Sequence, residues 1–262
     1  MPRRISTGPA FPASRRVTSL RTIAGSVIGF LRRRGHGRAS YGAAGAILKR
    51  AVLAAALVLG GQPAMAGAPV VVAALGDSLT HGYGLPPEQG FVAQLQAWLD
   101  AHAPVPVRLI NAGVSGDTSA GGRARLDWTL SEPVDAVIVE LGGNDMLRGI
   151  EPAETRANLD AILTRLGERG IAAILVGLPA PANFGPEWKA EFDAIFPELG
   201  AKHGVPVYPD FLAALGPRDD PGAIRKLMQP DGIHPNAEGV ARIVADFGPH
   251  LLALIAAIAP GE

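Results

Sequence analysis

The order of apolar segments predicts an α/β protein built on a mostly parallel sheet covered on both faces. Five short apolar, β-branched runs recur at Val70 to Leu75, Val107 to Asn111, Ala136 to Leu141, Ala172 to Leu178 and Val205 to Tyr208, with helical periodicity between them. Continuously apolar runs suit strands buried on both faces, and their alternation with helices implies crossover connections. In addition, short blocks rich in Gly, Asp, Asn and Ser follow the run ends, where open α/β sheets build their sites.

The first run passes directly into Gly76-Asp77-Ser78-Leu79-Thr80, so a serine hydroxyl stands where a buried strand ends and the chain turns. Phe91, Leu95, Trp98 and Leu99 form a helical stripe before the second run, and Leu159, Ile162, Leu163 and Leu166 form another before the fourth. Both stripes read as core rather than ligand surface. Asp231-Gly232-Ile233-His234-Pro235 then opens the last helix, with Pro235 in a first turn that tolerates proline. Val240, Val244, Phe247, Leu251 and Ile255 continue that helix, and Pro249 is expected to kink it. There is no internal repeat and no sign of a second folded domain.

Composition divides the chain in two. The first 66 residues hold ten arginines and Lys49 but no Asp or Glu, which leaves 13 basic against 24 acidic residues beyond them, a net charge of −11. Lys49-Arg50, an apolar core at about 51–60, the breaker Gly60-Gly61-Gln62-Pro63 and the small-residue pattern Ala64-Met65-Ala66 follow the order of a secretory signal peptide. The apolar stretch is too short for a permanent anchor. Residues 1–66 are therefore expected to be a basic leader cleaved after Ala66, and 67–262 a single exported domain, periplasmic or secreted, with no stable membrane anchor after cleavage. Residues 1–46 are longer than a signal peptide needs and read either as an upstream extension from a misplaced start or as a basic tail. Zero cysteines exclude disulfides, thiol nucleophiles and thiolate metal sites. An acidic domain argues against nucleic acid as partner.

In a parallel sheet the run ends converge on one edge. Gly76-Asp77-Ser78, Asn111-Ala112-Gly113-Val114-Ser115-Gly116, Gly142-Gly143-Asn144-Asp145 and Asp231-Gly232-Ile233-His234 can therefore meet in space. A serine that cleaves esters needs a base, a carboxylate to orient it and donors for the oxyanion. His234, with Asp231 three residues before it, supplies the first two. The N–H groups of Ser78 and Gly113 and the side-chain amide of Asn144 are the candidate oxyanion donors. Each has a plainer alternative: Ser78 as a helix N-cap, His234 as a helix-start or surface residue, Gly113 as a turn needing positive φ, and Asn144 as a self-bonded turn residue. Asp77 and Asp145 read as supports for loop N–H groups. Asp219-Asp220 reads as a solvated turn. His81 and Tyr83 are placed at the site mouth, while His36, His102, His203 and His250 read as surface residues without partners.

These blocks, together with Gly82-Tyr83-Gly84-Leu85 and the extensions Asp117-Thr118 and Asn236, resemble the GDSL esterases of the SGNH hydrolase superfamily. The likeness is greatest to the acyl-CoA thioesterase I, lysophospholipase L1 and arylesterase group, and it covers essentially everything after residue 67. The resemblance implies a three-layer α/β/α sandwich of flavodoxin-like type with about five parallel strands. It also implies Ser78 as nucleophile, His234 as base, Asp231 as its partner, and Ser78, Gly113 and Asn144 as the oxyanion hole. No Gly-x-Ser-x-Gly elbow surrounds Ser78, which separates the chain from the α/β-hydrolases.

The expected reaction is hydrolysis of a small-molecule carboxylic ester or thioester with an acyl or aryl group, without cofactor or metal. The apolar segments Met146 to Ile150 and Leu178 to Gly185 suit an acyl chain or aryl ring. A carbohydrate acetylesterase and a non-catalytic exported binding domain of the same fold are the alternatives. Oligomeric state is not fixed by the sequence, with a monomer or weak dimer as the working expectation.

Overall fold

The computed structural model describes residues 68–259, so the leader expected at 1–66 lies outside the described residues. In chain order the elements are β1 (Val70–Gly76), α1 (Ser78–His81), α2 (Phe91–His102), β2 (Val107–Gly113), α3 (Ser119–Ala124), α4 (Leu126–Thr129) and β3 (Ala136–Glu140). They continue with α5 (Gly143–Leu147), α6 (Pro152–Glu168), β4 (Ala172–Val176), α7 (Pro186–His203), β5 (Val207–Tyr208), α8 (Pro221–Lys226) and α9 (Ala237–Ile258).

All five strands pair in parallel in the order β2-β1-β3-β4-β5. That is the flavodoxin-like order, reversing direction at β1 and opening a crevice beyond the strand ends. The register aligns Gly76 with Gly113 on one side and with Glu140 on the other. The chain segments that leave these three ends carry the serine, glycine and asparagine blocks.

The period of two along each strand divides the apolar residues between two cores. Val70, Val72 and Ala74 face a layer containing Phe91, Leu95 and Leu99 of α2 and Val240, Ile243, Phe247, Leu251 and Ile255 of α9. Ala73 and Leu75 face the opposite layer, with Leu159, Ile162 and Leu166 of α6 and Phe192, Ile195 and Leu199 of α7. Both stripes read from the sequence therefore lie in cores, and the sheet is the middle of three layers. β5, at the edge, has only two residues, a length that leaves little ladder open to another chain.

Several boundaries differ from the sequence reading for identifiable reasons. α9 begins at Ala237, because the Asn236 side chain accepts from Gly239 N–H at 3.0 Å and takes the cap position. Pro235 thus precedes the helix and forms an antiparallel bridge with Met228. Pro249 lies inside α9 without ending it. Asp220 is more than a solvated turn residue, since its side chain accepts from Ala223 N–H at 3.0 Å and caps α8. His203 does have a partner, bonding Asp160 at 2.6 Å from the end of α7.

Phe247 sets the tightest test of the α2–α9 layer. It has no exposed surface and meets Phe91 and Tyr208 edge-on at centroid distances of 5.7 and 5.1 Å. Phe247→Ala is expected to lower the unfolding free energy by about 3–5 kcal/mol, measured by urea denaturation.

Candidate active site

Ser78 is held by its neighbours rather than by a cap of its own. Asp77 is the N-cap of α1, its Oδ1 accepting from Leu79 N–H at 3.0 Å, so Ser78 becomes the first helical residue. The cap reading of Ser78 is thereby overturned, and its hydroxyl is released toward the crevice. Its N–H has no acceptor within the helix, as for every first-turn residue.

Facing it is a loop that projects from between α8 and α9. Residues 228 and 235 are bridged, Gln229 N–H donates to His234 O at 2.7 Å, and Asn236 N–H donates to Leu227 O at 2.8 Å. At the tip, Asp231 Oδ1 accepts from the N–H groups of Ile233 and His234 at 2.9 and 3.0 Å. Its Oδ2 lies 2.7 Å from His234 Nδ1, and His234 Nε2 lies 2.8 Å from Ser78 Oγ. With Nδ1–H donating to the carboxylate, Nε2 is left bare to accept from the serine hydroxyl. The structure thus brings Ser78, His234 and Asp231 into one hydrogen-bonded line.

The imidazole bond and the two backbone bonds pull the Asp231 carboxyl down to about 2. The Tyr83 ring covers the imidazole at a centroid distance of 4.8 Å. Gln229 Nε2 donates to Tyr83 O at 2.8 Å and Pro235 O at 3.0 Å, tying the tyrosine loop to the histidine loop.

The candidate oxyanion donors stand differently. Asn144, in the first turn of α5, lines the crevice beside Ser78, and one of its amide hydrogens goes to Asp77 Oδ2 at 2.9 Å. The second is available to a ligand. Gly113 ends β2 without a positive φ, contrary to the turn reading. Its lack of a side chain answers to close approach, because a Cβ would fall 2.3 Å from His81 N. Its N–H donates to Asn111 Oδ1 at 3.0 Å, so it serves an oxyanion only by sharing or exchanging that acceptor.

Asp77 and Asp145 support backbone, as the sequence suggested. Asp145 accepts from Ser119 N–H at 2.7 Å and from the Ser119 and Thr155 hydroxyls at 2.5 and 3.1 Å. Arg125, which no local pattern marked, donates to Ala112 O at 2.6 Å, Gly76 O at 2.8 Å and Asp117 at 2.5 Å. One guanidinium fork thereby ties the ends of β1 and β2. Among the described residues no cluster of His, Asp and Glu has the form of a metal site.

The crevice is a cleft of about 370 Å³. Leu79, Met146, Leu147, Leu178, Leu212, Met228 and Ile233 line it, with Ser115 and Gly116 as its polar side. Met146, Leu147 and Leu178 come from the two segments expected, whereas Leu212 and Met228 lie outside them and Ile233 comes from the histidine block. Tyr83 lines the cleft, while His81 pairs with Ser115 Oγ at 3.1 Å. No tryptophan lines it: Trp98 stacks on His102, Trp188 stacks on Phe192, and Trp128 is 74% exposed.

Residues 74–242 match the model of the GDSL-like lipase/acylhydrolase family. The chain belongs to that family. Esterase TesA of Pseudomonas aeruginosa is 38% identical over 201 residues, covering 76% of this chain and 95% of the relative. Thioesterase 1/protease 1/lysophospholipase L1 of Escherichia coli K12 is 36% identical over 165 residues, covering 63% of this chain and 74% of the relative. The crystal structure of AlinE4, an SGNH-hydrolase family esterase, aligns with a TM-score of 0.58 and 42% identity over 74% of this chain and 99% of that one. The five-strand parallel sheet described above is thus the SGNH hydrolase fold.

The low folded-state value of Asp231 fixes a pH dependence. Its unfolded counterpart protonates near pH 3.9, so the carboxylate contributes stability above that pH and loses it as the pH falls through about 2. The stability difference between wild type and Asp231→Asn is expected to shrink across that window, read from thermal melts at successive pH values.

Proposed function

We propose that the protein is a serine hydrolase of carboxylic esters and thioesters, acting through an acyl-enzyme on Ser78. The observation that carries the reading is the 2.8 Å contact between Ser78 Oγ and an imidazole whose far nitrogen is held by a carboxylate. Esterase and thioesterase names among the relatives support the same class.

In the proposed reaction Ser78 Oγ attacks the carbonyl carbon as its proton passes to His234 Nε2. Asp231 holds the imidazole in the required tautomer and balances the imidazolium. Negative charge on the former carbonyl oxygen is met by Ser78 N–H and Asn144 Nδ2, and by Gly113 N–H once it turns from Asn111. Collapse breaks the bond to the leaving oxygen or sulfur, which takes the proton from His234. Water then attacks the acyl-serine, losing its proton to the same base, and frees the acid and Ser78. The apolar cleft favours an acyl chain or aryl ring, and with Tyr83 as its one aromatic lining residue, packed on His234, the cleft disfavours a carbohydrate acetylesterase.

The proposed location is outside the cytoplasm, periplasmic or secreted, supported by the basic, apolar and small-residue order of 1–66. Export would separate the enzyme from cytoplasmic acyl-CoA and leave other esters as its natural substrates.

Ser78→Ala is expected to lower kcat toward p-nitrophenyl esters by about 10⁴- to 10⁶-fold without added metal. Equal turnover by both proteins removes the serine mechanism. N-terminal sequencing of the exported protein is expected to start at Gly67; a start within the leader would show that cleavage after Ala66 does not occur.

A further inference from the structure

Beneath the Ser78 turn lies an acid that the acyl-transfer steps do not use. Glu140, the last residue of β3, has no exposed surface. Its Oε2 accepts from Thr80 Oγ1 at 2.8 Å and from Asp77 N–H at 3.4 Å, whereas Oε1 is sealed from solvent without a donor. The chain is seated tightly on this cluster: a Cβ on Gly76 would fall 2.0 Å from Thr80 Oγ1 and 2.8 Å from Glu140 Oε2.

An ionised Glu140 would leave a charged oxygen unsatisfied in the interior, which is strongly unfavourable. It would also stand beside a second buried acid, since Asp77, whose own N–H reaches Oε2, is itself sealed from solvent. Two such carboxyls do not both ionise. Burial and the Asp77 charge push Glu140 well above the usual carboxylate range, and burial raises Asp77 less far. A proton on Glu140 converts the orphaned acceptor into a donor and lets Asp77 keep its charge. The other titratable or charged groups around the pair are His234, which favours ionised Asp77 when it carries a proton, and Arg125, which binds Gly76 O at 2.8 Å. Asp145 on α5 is committed to Ser119 and Thr155.

Asp77 uses its charge at both oxygens, accepting from Leu79 N–H at the Ser78 turn and from Asn144 Nδ2 at the cleft wall. We propose that Glu140 is a positioning residue: it donates a carboxyl proton to Asp77, and the Glu140–Asp77–Asn144 chain holds both the Asn144 amide and the Ser78 turn in place. The inference rests on the serine-hydrolase reading, and it assigns that site a buried neutral acid as its foundation.

Infrared spectroscopy of the full chain at pH 7 tests the proton directly. The difference between wild type and Glu140→Gln is expected to contain the carbonyl stretch of a protonated carboxylic acid, and its absence overturns the proposal. Kinetics with a p-nitrophenyl ester test the positioning. Glu140→Gln keeps an N–H toward Asp77 and a carbonyl toward Thr80, and is expected to retain kcat within about threefold. Glu140→Ala is expected to lower kcat by about 10- to 100-fold with KM changed by less than about threefold. Loss of kcat in a folded Gln variant, or wild-type kcat in the Ala variant, overturns the proposal. Should the Ala variant not fold, the Gln variant and the infrared band decide. Turnover that persists in Ser78→Ala removes the serine reading without touching the infrared result, whereas a missing band with Ser78-dependent turnover removes this inference alone.

Discussion

The register that sets Gly76 beside both Gly113 and Glu140 is the constraint on which the rest of the site depends. Side chains alternate between sheet faces with a period of two, so a slip of one residue would exchange the two cores and carry each strand-end block away from its neighbours. The apolar runs of β1 and β3 resist such a slip because both faces are buried. Core packing and site geometry are thus fixed by the same pairing.

From that edge the site is assembled in tiers. Backbone pairing aligns the strand ends, and the Arg125 fork ties two of them through their carbonyls. Asp77 then links the turn carrying Ser78 to the amide of Asn144. The Asp231–His234 loop comes from outside the sheet, held at its base by Gln229 and Asn236 and covered by Tyr83. Ser78 and His234 lie along the cleft opposite apolar side chains, while the Asp231 end of the polar line is open to solvent.

The sequence made the strands and the polar blocks legible, because β-branched runs and punctuating turn residues leave local patterns. The helical stripes of α2 and α6 were legible for the same reason. Other features have no local signature. Arg125 and Gln229 act through backbone carbonyls 49 and 146 residues away, and Met228 and Ile233 become cleft walls only when the last loop docks. Glu140 is the one acid inside the apolar run Ala136 to Leu141, and nothing local shows that the pairing will bury it. Where two local rules competed, the structure chose by hydrogen bonding: Asp77 outcompeted Ser78 for the cap of α1, and Asn236 displaced Pro235 from the first turn of α9. At Gly113 the turn rule failed because the chain needed room for His81 rather than a left-handed bend.

Ser78 and His234 are 156 residues apart in sequence, yet their side chains share one hydrogen bond. The serine leaves the first strand, and the imidazole arrives only in the loop before the final helix. Almost the whole domain must therefore be synthesised and its loop closed before the pair can exist, which makes it a contact of very high sequence separation. A chain that had paired its strands but not closed this loop would hold Ser78 without the imidazole beside it. The hydrogen bond between Ser78 and His234 therefore reports on long-range closure of the chain as well as on the local order of either loop.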